Sequence, residues 1–370
     1  MRIFKLAVSL ILLGVAAGAA AQTSNLQAEL ERVAASVGGS VGIGVRHLES
    51  GRELYVNRGV RYPMASVFKV PVALQLLAMV EEGRADLDKM VELRASDLRP
   101  GSGRLVKGFV EPRRTTIREL LERMLIDSDA TATDYLLGEI GGVPAVQARL
   151  KQLGLDGISV DRTTGHLQAA ALGFDDLPAD VGPTSSEMDR MIRTVPRSRR
   201  TGRIAAFMKS ERDTARPEAL VAMLTKVWNG EALGQTYTTV LIETMQRCRT
   251  GKGRLPAGLP AGTRVARKTG TFSRLITNDA GIITLPGKAG HVVVTVQIKG
   301  SSQTVETQER AIAQIARAVY HHFTARAQTT SPFSRGPSLD LGVTGRRRRR
   351  GPRCRRAAAP ARVSHRAGAG

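Results

Sequence analysis

A serine and a lysine three residues apart, Ser66 and Lys69, stand in the run Tyr62-Pro63-Met64-Ala65-Ser66-Val67-Phe68-Lys69. A strong helical pattern opens there, so the two side chains share the face of a first turn. A hydroxyl becomes a nucleophile only beside a proton acceptor, and a lysine in a desolvated pocket can be one. Alone the pair says little, because Ser-x-x-Lys arises by chance on the order of once per chain of this size. A second feature is Ser128-Asp129, between two helical patterns, where Ser and Asp would serve equally as helix caps. A third is Lys268-Thr269-Gly270-Thr271 at the end of a strand-like run. A strand edge with a lysine, a hydroxyl and a glycine can pair its backbone with a substrate amide and hold a carboxylate; read plainly, it is a turn after a strand.

The elements around these residues follow from periodicity. Leu26 to Ala35 reads as an amphipathic helix, and Ser40 to His47 with Glu53 to Val56 as a β-hairpin around Glu49-Ser50-Gly51. Helical patterns cover Val70 to Glu82, Ile117 to Ile126, Ala130 to Ile140 and Val143 to Leu153. Residues 161–211 are rich in Gly, Pro, Thr and Asp and read as a long irregular stretch. Helices are expected at Pro217 to Asn229 and Gly234 to Arg247, then strands at Arg264 to Lys268, Ala280 to Leu285 and His291 to Ile298. An amphipathic helix from Glu306 to Phe323 closes the series. Strands at both ends and helices between them predict an α/β layer with an inserted α-helical region, that is, α/β plus all-α.

Composition narrows the functions available. The 370 residues are 42% hydrophobic, ordinary for a soluble globular chain. A net charge of +22 suggests nucleic acid until it is located: residues 325–370 hold twelve Arg and one Asp, about half of it. The rest is spread without a dense basic stripe, and aromatics at 4% offer little to stack on bases, so the folded part is not expected to bind nucleic acid. The Arg346 to Arg350 run cannot bury itself, and residues 325–370 are expected to be a disordered tail. At the other end, Arg2 and Lys5 precede the apolar run Leu6 to Ala17 and the small residues before Gln22. That is the layout of a signal peptide, residues 1–21, cleaved after Ala21, and the run is shorter than the roughly 20 residues of a spanning anchor. An exported, periplasmic or secreted protein with no transmembrane anchor is expected. The two cysteines, Cys248 and Cys354, are not expected to pair, because the tail has no visible way to dock. Neither they nor the scattered histidines have metal-ligand spacing, and His321-His322 read as end-of-helix residues. No metal or cofactor is implied.

The three motifs, in order and in these local structures, resemble the Ser-x-x-Lys, Ser-Asp-Asn and Lys-Thr-Gly set of class A β-lactamases in the penicillin-recognising superfamily. Thr116-Ile117-Arg118-Glu119-Leu120, Ile140-Gly141-Gly142 and Arg212-Asp213-Thr214-Ala215-Arg216-Pro217 extend the likeness over Leu26 to Phe323. The resemblance implies a β-lactamase/transpeptidase-like fold, an antiparallel sheet flanked by helices. Its catalytic domain would span residues 22–324, with the α/β layer at 22–62 and 218–324 and the helical region at 63–217. It implies Ser66 as nucleophile, Lys69 as its activator and Ser128 as proton relay to the leaving nitrogen. Lys268 would support that relay and attract a substrate carboxylate, with Thr269 hydrogen-bonding it beside Gly270. The N–H groups of Ser66 and Thr271 would form the oxyanion hole, where each fixed donor is worth roughly 3–4 kcal/mol. Arg274 is the candidate cation for the carboxylate. The expected partner is a small-molecule substrate, a β-lactam or a cell-wall peptide, bound by a monomer.

Two departures bear on activity. The third residue of Ser-Asp-Asn is Ala130, and the family's Glu-x-x-x-Asn in its omega loop is missing: after Val160-Asp161-Arg162 come Thr163-Thr164-Gly165-His166. Arg162 is expected to pair with Asp213 across the loop's neck. Glu187 and Glu211 lie inside the loop and read as surface or helix-start carboxylates rather than a displaced base. A serine β-lactamase leads. A D,D-peptidase-like hydrolase and a slowly deacylating penicillin-binding or sensory protein follow.

Overall fold

The computed structural model describes residues 24–174, 177–178 and 182–329. The expected signal peptide, residues 1–21, and nearly all of the Arg-rich tail lie outside them. The chain begins with α1 (residues 24–36) and the hairpin β1 (Ser40–His47) and β2 (Glu53–Val56). β3 (Tyr62–Pro63) leads into a 3-10 turn, Ala65–Phe68, that runs straight into α2 (Lys69–Glu81). A two-stranded ribbon of β4 (Met90–Leu93) and β5 (Arg113–Thr116) precedes α3 (Ile117–Ile126), α4 (Ala130–Glu139) and α5 (Gly142–Gln152). Then come α6 (Thr164–Ala171), α7 (Ser185–Thr194) and α8 (Arg197–Lys209). After β6 (Thr214–Ala215) follow α9 (Pro217–Trp228), α10 (Gln235–Gln246), β7 (Val265–Phe272), β8 (Ile276–Thr284), β9 (His291–Lys299) and α11 (Val305–Thr329).

The main sheet is antiparallel, in the order β2-β1-β9-β8-β7, so β7 forms one edge. Alternation along β9 sorts its two faces. Val292, Val294, Val296 and Ile298 join Leu30 of α1 and Ile312, Ile315 and Val319 of α11 in one core. Val293 faces the other way, into the larger core with α2, α3, α4, α9 and α10. On that second face β1 carries Gly44, where a Cβ would lie 2.6 Å from Val221 Cγ2 and 2.8 Å from Thr295 Oγ1. Glycine there lets α9 lie directly on the sheet.

Three expectations change. Residues 161–211 are not an irregular stretch but hold α6, α7 and α8. α6 is a single short helix buried along nearly its whole length, so it shows no amphipathic stripe, and α7 is polar and buries Met188, yet the caps are explicit: Thr163 accepts from His166 N, and Thr184 with Glu187 forms a capping box. β7 runs to Phe272 rather than stopping at Lys268, so the Lys-Thr-Gly-Thr segment lies within a strand, paired Thr269 to Asp279. The last helix continues to Thr329, past the expected start of the tail at Ala325.

Both ends of the long loop are fastened. Arg162 Nε donates to Asp213 Oδ2 at 2.5 Å, and the Asp161 and Arg162 amides donate to Asp213 Oδ1 at 2.8 and 3.0 Å. Both side chains are buried, so the expected neck pair is present. Removing one partner of a buried ion pair strands the other charge and costs about 3–5 kcal/mol. Arg162→Ala should therefore lower the urea-unfolding free energy by that amount. A loss under about 1 kcal/mol, the worth of an exposed pair, would show that the clasp is not a structural anchor.

Candidate active site

Ser66 sits on the 3-10 turn, partly exposed, between Ala65 and Val67, which are buried. Ala65 has φ 44°, an uncommon conformation for a residue with a side chain. What imposes it is Asn278, a buried carboxamide in the middle of β8. Its Nδ2 donates to the carbonyls of Pro63 and Met64 at 2.8 and 3.0 Å, and its Oδ1 accepts from Ile298 N at 3.2 Å. β7 closes the same turn from the other side: a Cβ at Gly270 would overlap the Met64 carbonyl and lie 3.2 Å from Ala65 Cβ. The glycine of Lys-Thr-Gly thus has a packing reason, letting the edge strand touch the backbone that presents Ser66.

One turn on, Lys69 is fully buried. Its Nζ donates to Ser128 O (2.5 Å), Ser128 Oγ (3.2 Å) and Asp129 O (3.4 Å). Ser128 has φ 61°, and that turn brings both its carbonyl and its hydroxyl to the amine. From the opposite side, Lys268 Nζ donates to Ser128 Oγ at 2.9 Å and to Thr269 O at 3.0 Å. The Ser128 hydroxyl is therefore held between two buried amines. Ser66 Oγ makes no hydrogen bond among the described residues and is left toward solvent.

Asp129 locks this arrangement. One carboxylate oxygen caps α4 through Ala132 N (3.0 Å), and the other accepts from Arg104 N and Leu105 N at 2.7 and 3.0 Å. Burial drives the Lys69 pKa well below the ordinary lysine range, and the Lys268 charge adds to this while Asp129 and Asp134 oppose it. Lys268 is lowered by burial to about 8, with Cys248 and Asp279 opposing. A neutral Lys69 can accept a proton, and Ser128 can pass one on.

Sequence reasoning missed several contributors. Arg254, buried in the loop after α10, donates from Nη1 to Gly270 O and Asn278 O (3.1 and 2.7 Å) and from Nη2 to Thr271 Oγ1 (2.6 Å). Thr250 Oγ1 meets Thr269 Oγ1 at 2.5 Å, and Arg267 joins Thr250 O to Asp279. Arg274 lies exposed on the β7–β8 turn, and its guanidinium makes no hydrogen bond or ion pair among the described residues. The arginine that reaches the Thr269–Thr271 segment is Arg254. None of them left a sequence signal: Asn278 lies ahead of the expected strand Ala280 to Leu285, between the polar Thr277 and Asp279.

The loop carboxylates point elsewhere. Glu187 accepts from Thr184 N and Oγ1 at 2.8 and 2.9 Å, closing the α7 cap, and these bonds lower its pKa. Glu211 is exposed, 4.0 Å from Arg61. Thr164 stands second after Arg162; its amide donates to Asp134 Oδ1 at 2.7 Å, and its buried hydroxyl has no hydrogen-bond partner among the described residues. His166 is turned inward, hydrogen-bonded to Thr163 Oγ1 (2.9 Å) and Pro178 O (2.6 Å).

This fold and this serine–lysine–serine site are those of a serine hydrolase. The family model described as "Beta-lactamase enzyme family" matches residues 25–323. β-Lactamase VEB-1 of Pseudomonas aeruginosa is 26% identical over 312 residues, covering 82% of this chain and 92% of that protein. Extended-spectrum β-lactamase PER-1 of the same organism is 28% identical over 319 residues, covering 84% and 92%. Among solved structures, the class A β-lactamase reconstructed as the last common ancestor of Gram-negative bacteria (GNCA4) superposes with a TM-score of 0.65 at 28% identity, covering 80% of this chain and 99% of that one. The chain belongs to the β-lactamase enzyme family.

The two amines set a pH dependence for acylation. The rate should rise with pH as Lys69 loses its proton, then fall through about pH 8 as Lys268 loses its positive charge. Replacing Lys268 by Arg, which stays protonated, should move the alkaline limb upward by more than one pH unit. An unmoved limb in that variant would assign it to another group.

Proposed function

We propose that the chain opens the β-lactam amide by forming an acyl-enzyme on Ser66, and that this ester hydrolyses slowly for a class A enzyme. The observation that carries the reading is the buried line Lys69–Ser128–Lys268 beside an accessible Ser66. Lys69 takes the Ser66 proton, and Ser128 delivers one to the departing nitrogen. The Ser66 and Thr271 amides receive the negative oxygen, and Lys268, Thr269 and Arg254 receive the substrate carboxylate. β7 offers its free edge to the substrate's extended amide, with Gly270 keeping that edge close to the nucleophile.

Deacylation needs a base that activates water, a contribution commonly worth roughly 10²–10⁴-fold. Thr164 occupies the loop position where such a carboxylate would stand, and a threonine hydroxyl does not ionise near neutral pH. Glu187 and Glu211 are committed outward, and His166 is tied within its own loop. The same observation favours, as second reading, a D,D-peptidase-like hydrolase acting on cell-wall peptides with the same residues. Residues 22–324 are proposed as the catalytic unit, working as a monomer after export and cleavage behind Ala21. No helix among the described residues is long and apolar enough to cross a membrane.

Intact-protein mass spectrometry with a penicillin over time tests the mechanism. Wild type should show a persistent adduct, and Ser66→Ala none. Thr164→Glu should shorten the adduct's lifetime by about 10²-fold or more. Fast wild-type turnover that collapses in Glu187→Gln or Glu211→Gln would place the base in the loop after all. N-terminal sequencing of exported material should read from Gln22, and an uncleaved cytoplasmic product would overturn the export assignment.

A further inference from the structure

Behind the Lys-Thr-Gly-Thr segment lies a buried ion pair that the acylation scheme leaves without a role. Asp279 of β8 stands opposite Thr269 of β7 and is fully buried. Its Oδ2 accepts from Arg267 Nη1 at 2.8 Å and from Leu255 N at 3.2 Å. Its Oδ1 accepts no hydrogen bond among the described residues. Burial raises the Asp279 pKa, and the Arg267 and Arg254 guanidiniums, which keep their protons, oppose that rise. Taking two charges out of water is expensive, and apolar residues of similar volume often serve stability as well or better. Such a pair calls for a reason other than stability.

Two lines of contact run from this carboxylate to the groups that receive the substrate carboxylate. In the first, Arg267 Nη2 donates to Thr250 O, and Thr250 Oγ1 meets Thr269 Oγ1, each at 2.5 Å. In the second, Leu255 directly follows Arg254. The Asp279–Leu255 bond therefore fixes the backbone from which Arg254 reaches Gly270 O, Asn278 O and Thr271 Oγ1. Glu309 of α11 accepts from Arg254 Nε at 2.9 Å. Four of the five guanidinium N–H groups are then committed, and one on Nη2 is left. A single free donor and a single hydroxyl recognise a carboxylate only if both are held in place. We propose that Asp279 is a positioning residue for the substrate carboxylate, acting through Arg267 and Leu255 to hold Thr250 and Arg254 on β7. This rests on the reading of Ser66 as a β-lactam nucleophile.

The second-order acylation rate, read by intact mass, separates positioning from support with two probes: benzylpenicillin, which carries the carboxylate, and its methyl ester, which does not. Asp279→Asn should slow benzylpenicillin about tenfold, the worth of a hydrogen bond to a charged group left misaligned. The ester should change less than twofold. Arg267→Met combined with Asp279→Leu removes both charges and strands neither, which guards the fold, and the same selective loss is expected. Thr250→Val should slow benzylpenicillin severalfold alone and add little to Asp279→Asn, because the two act along one line. Equal slowing of both probes, no slowing in the paired variant, or full additivity with Thr250→Val would overturn the proposal while leaving the nucleophile reading intact. No adduct with either probe in wild type would overturn the nucleophile reading, and this inference with it.

Discussion

A lysine amine shut away from water persists only if oxygens surround it, and Lys69 obtains them from the backbone and hydroxyl of Ser128 and the backbone of Asp129. Much of the helical region answers to that need. α2 carries the amine inward, α3 ends where Ser128 turns through its positive φ, and Asp129 must then cap α4 and hold residues 104 and 105 in place. A slip in any of these would leave the amine without its oxygens. Lowered proton affinity and structural dependence thus share one cause, which is burial.

The long loop is organised on the same principle of anchoring polar groups by carboxylates. Asp213 collects two amides and the Arg162 guanidinium at the neck, and Asp134 collects two amides at the start of α6. In both places an aspartate satisfies backbone donors that have no helical partner. The loop is therefore a placed element, and its helix α6 packs through Leu167, Ala170 and Ala171 in one cluster with Ala65, the neighbour of Ser66.

The grouping of Ser66, Lys69 and the strand motif was legible because each signal is local: spacing three on a helical turn, or a Lys-Thr-Gly run in a strand. The hairpin and the helices of the larger core were legible from periodicity. Arg254, Thr250 and Asn278 were not, because they reach the site only through pairing and packing between segments far apart in sequence. Arg274 illustrates the converse. Nearness in sequence to Thr271 made it the candidate, and the hairpin turn carries its side chain into solvent. α7 was written in its capping box, Thr184 and Glu187, but the polar composition of residues 161–211 outweighed the cap.

The edge position of β7 carries a cost in discrimination. A strand whose outer side is free, with cations near its middle, welcomes any extended chain that ends in a carboxylate. Ordinary peptide fragments would dock there by the same backbone pairing as a strained cyclic amide. Selectivity must then be exercised after docking, by which amide yields to the serine. A cell wall rich in loose peptide ends would act on such an enzyme as a standing competitive inhibitor.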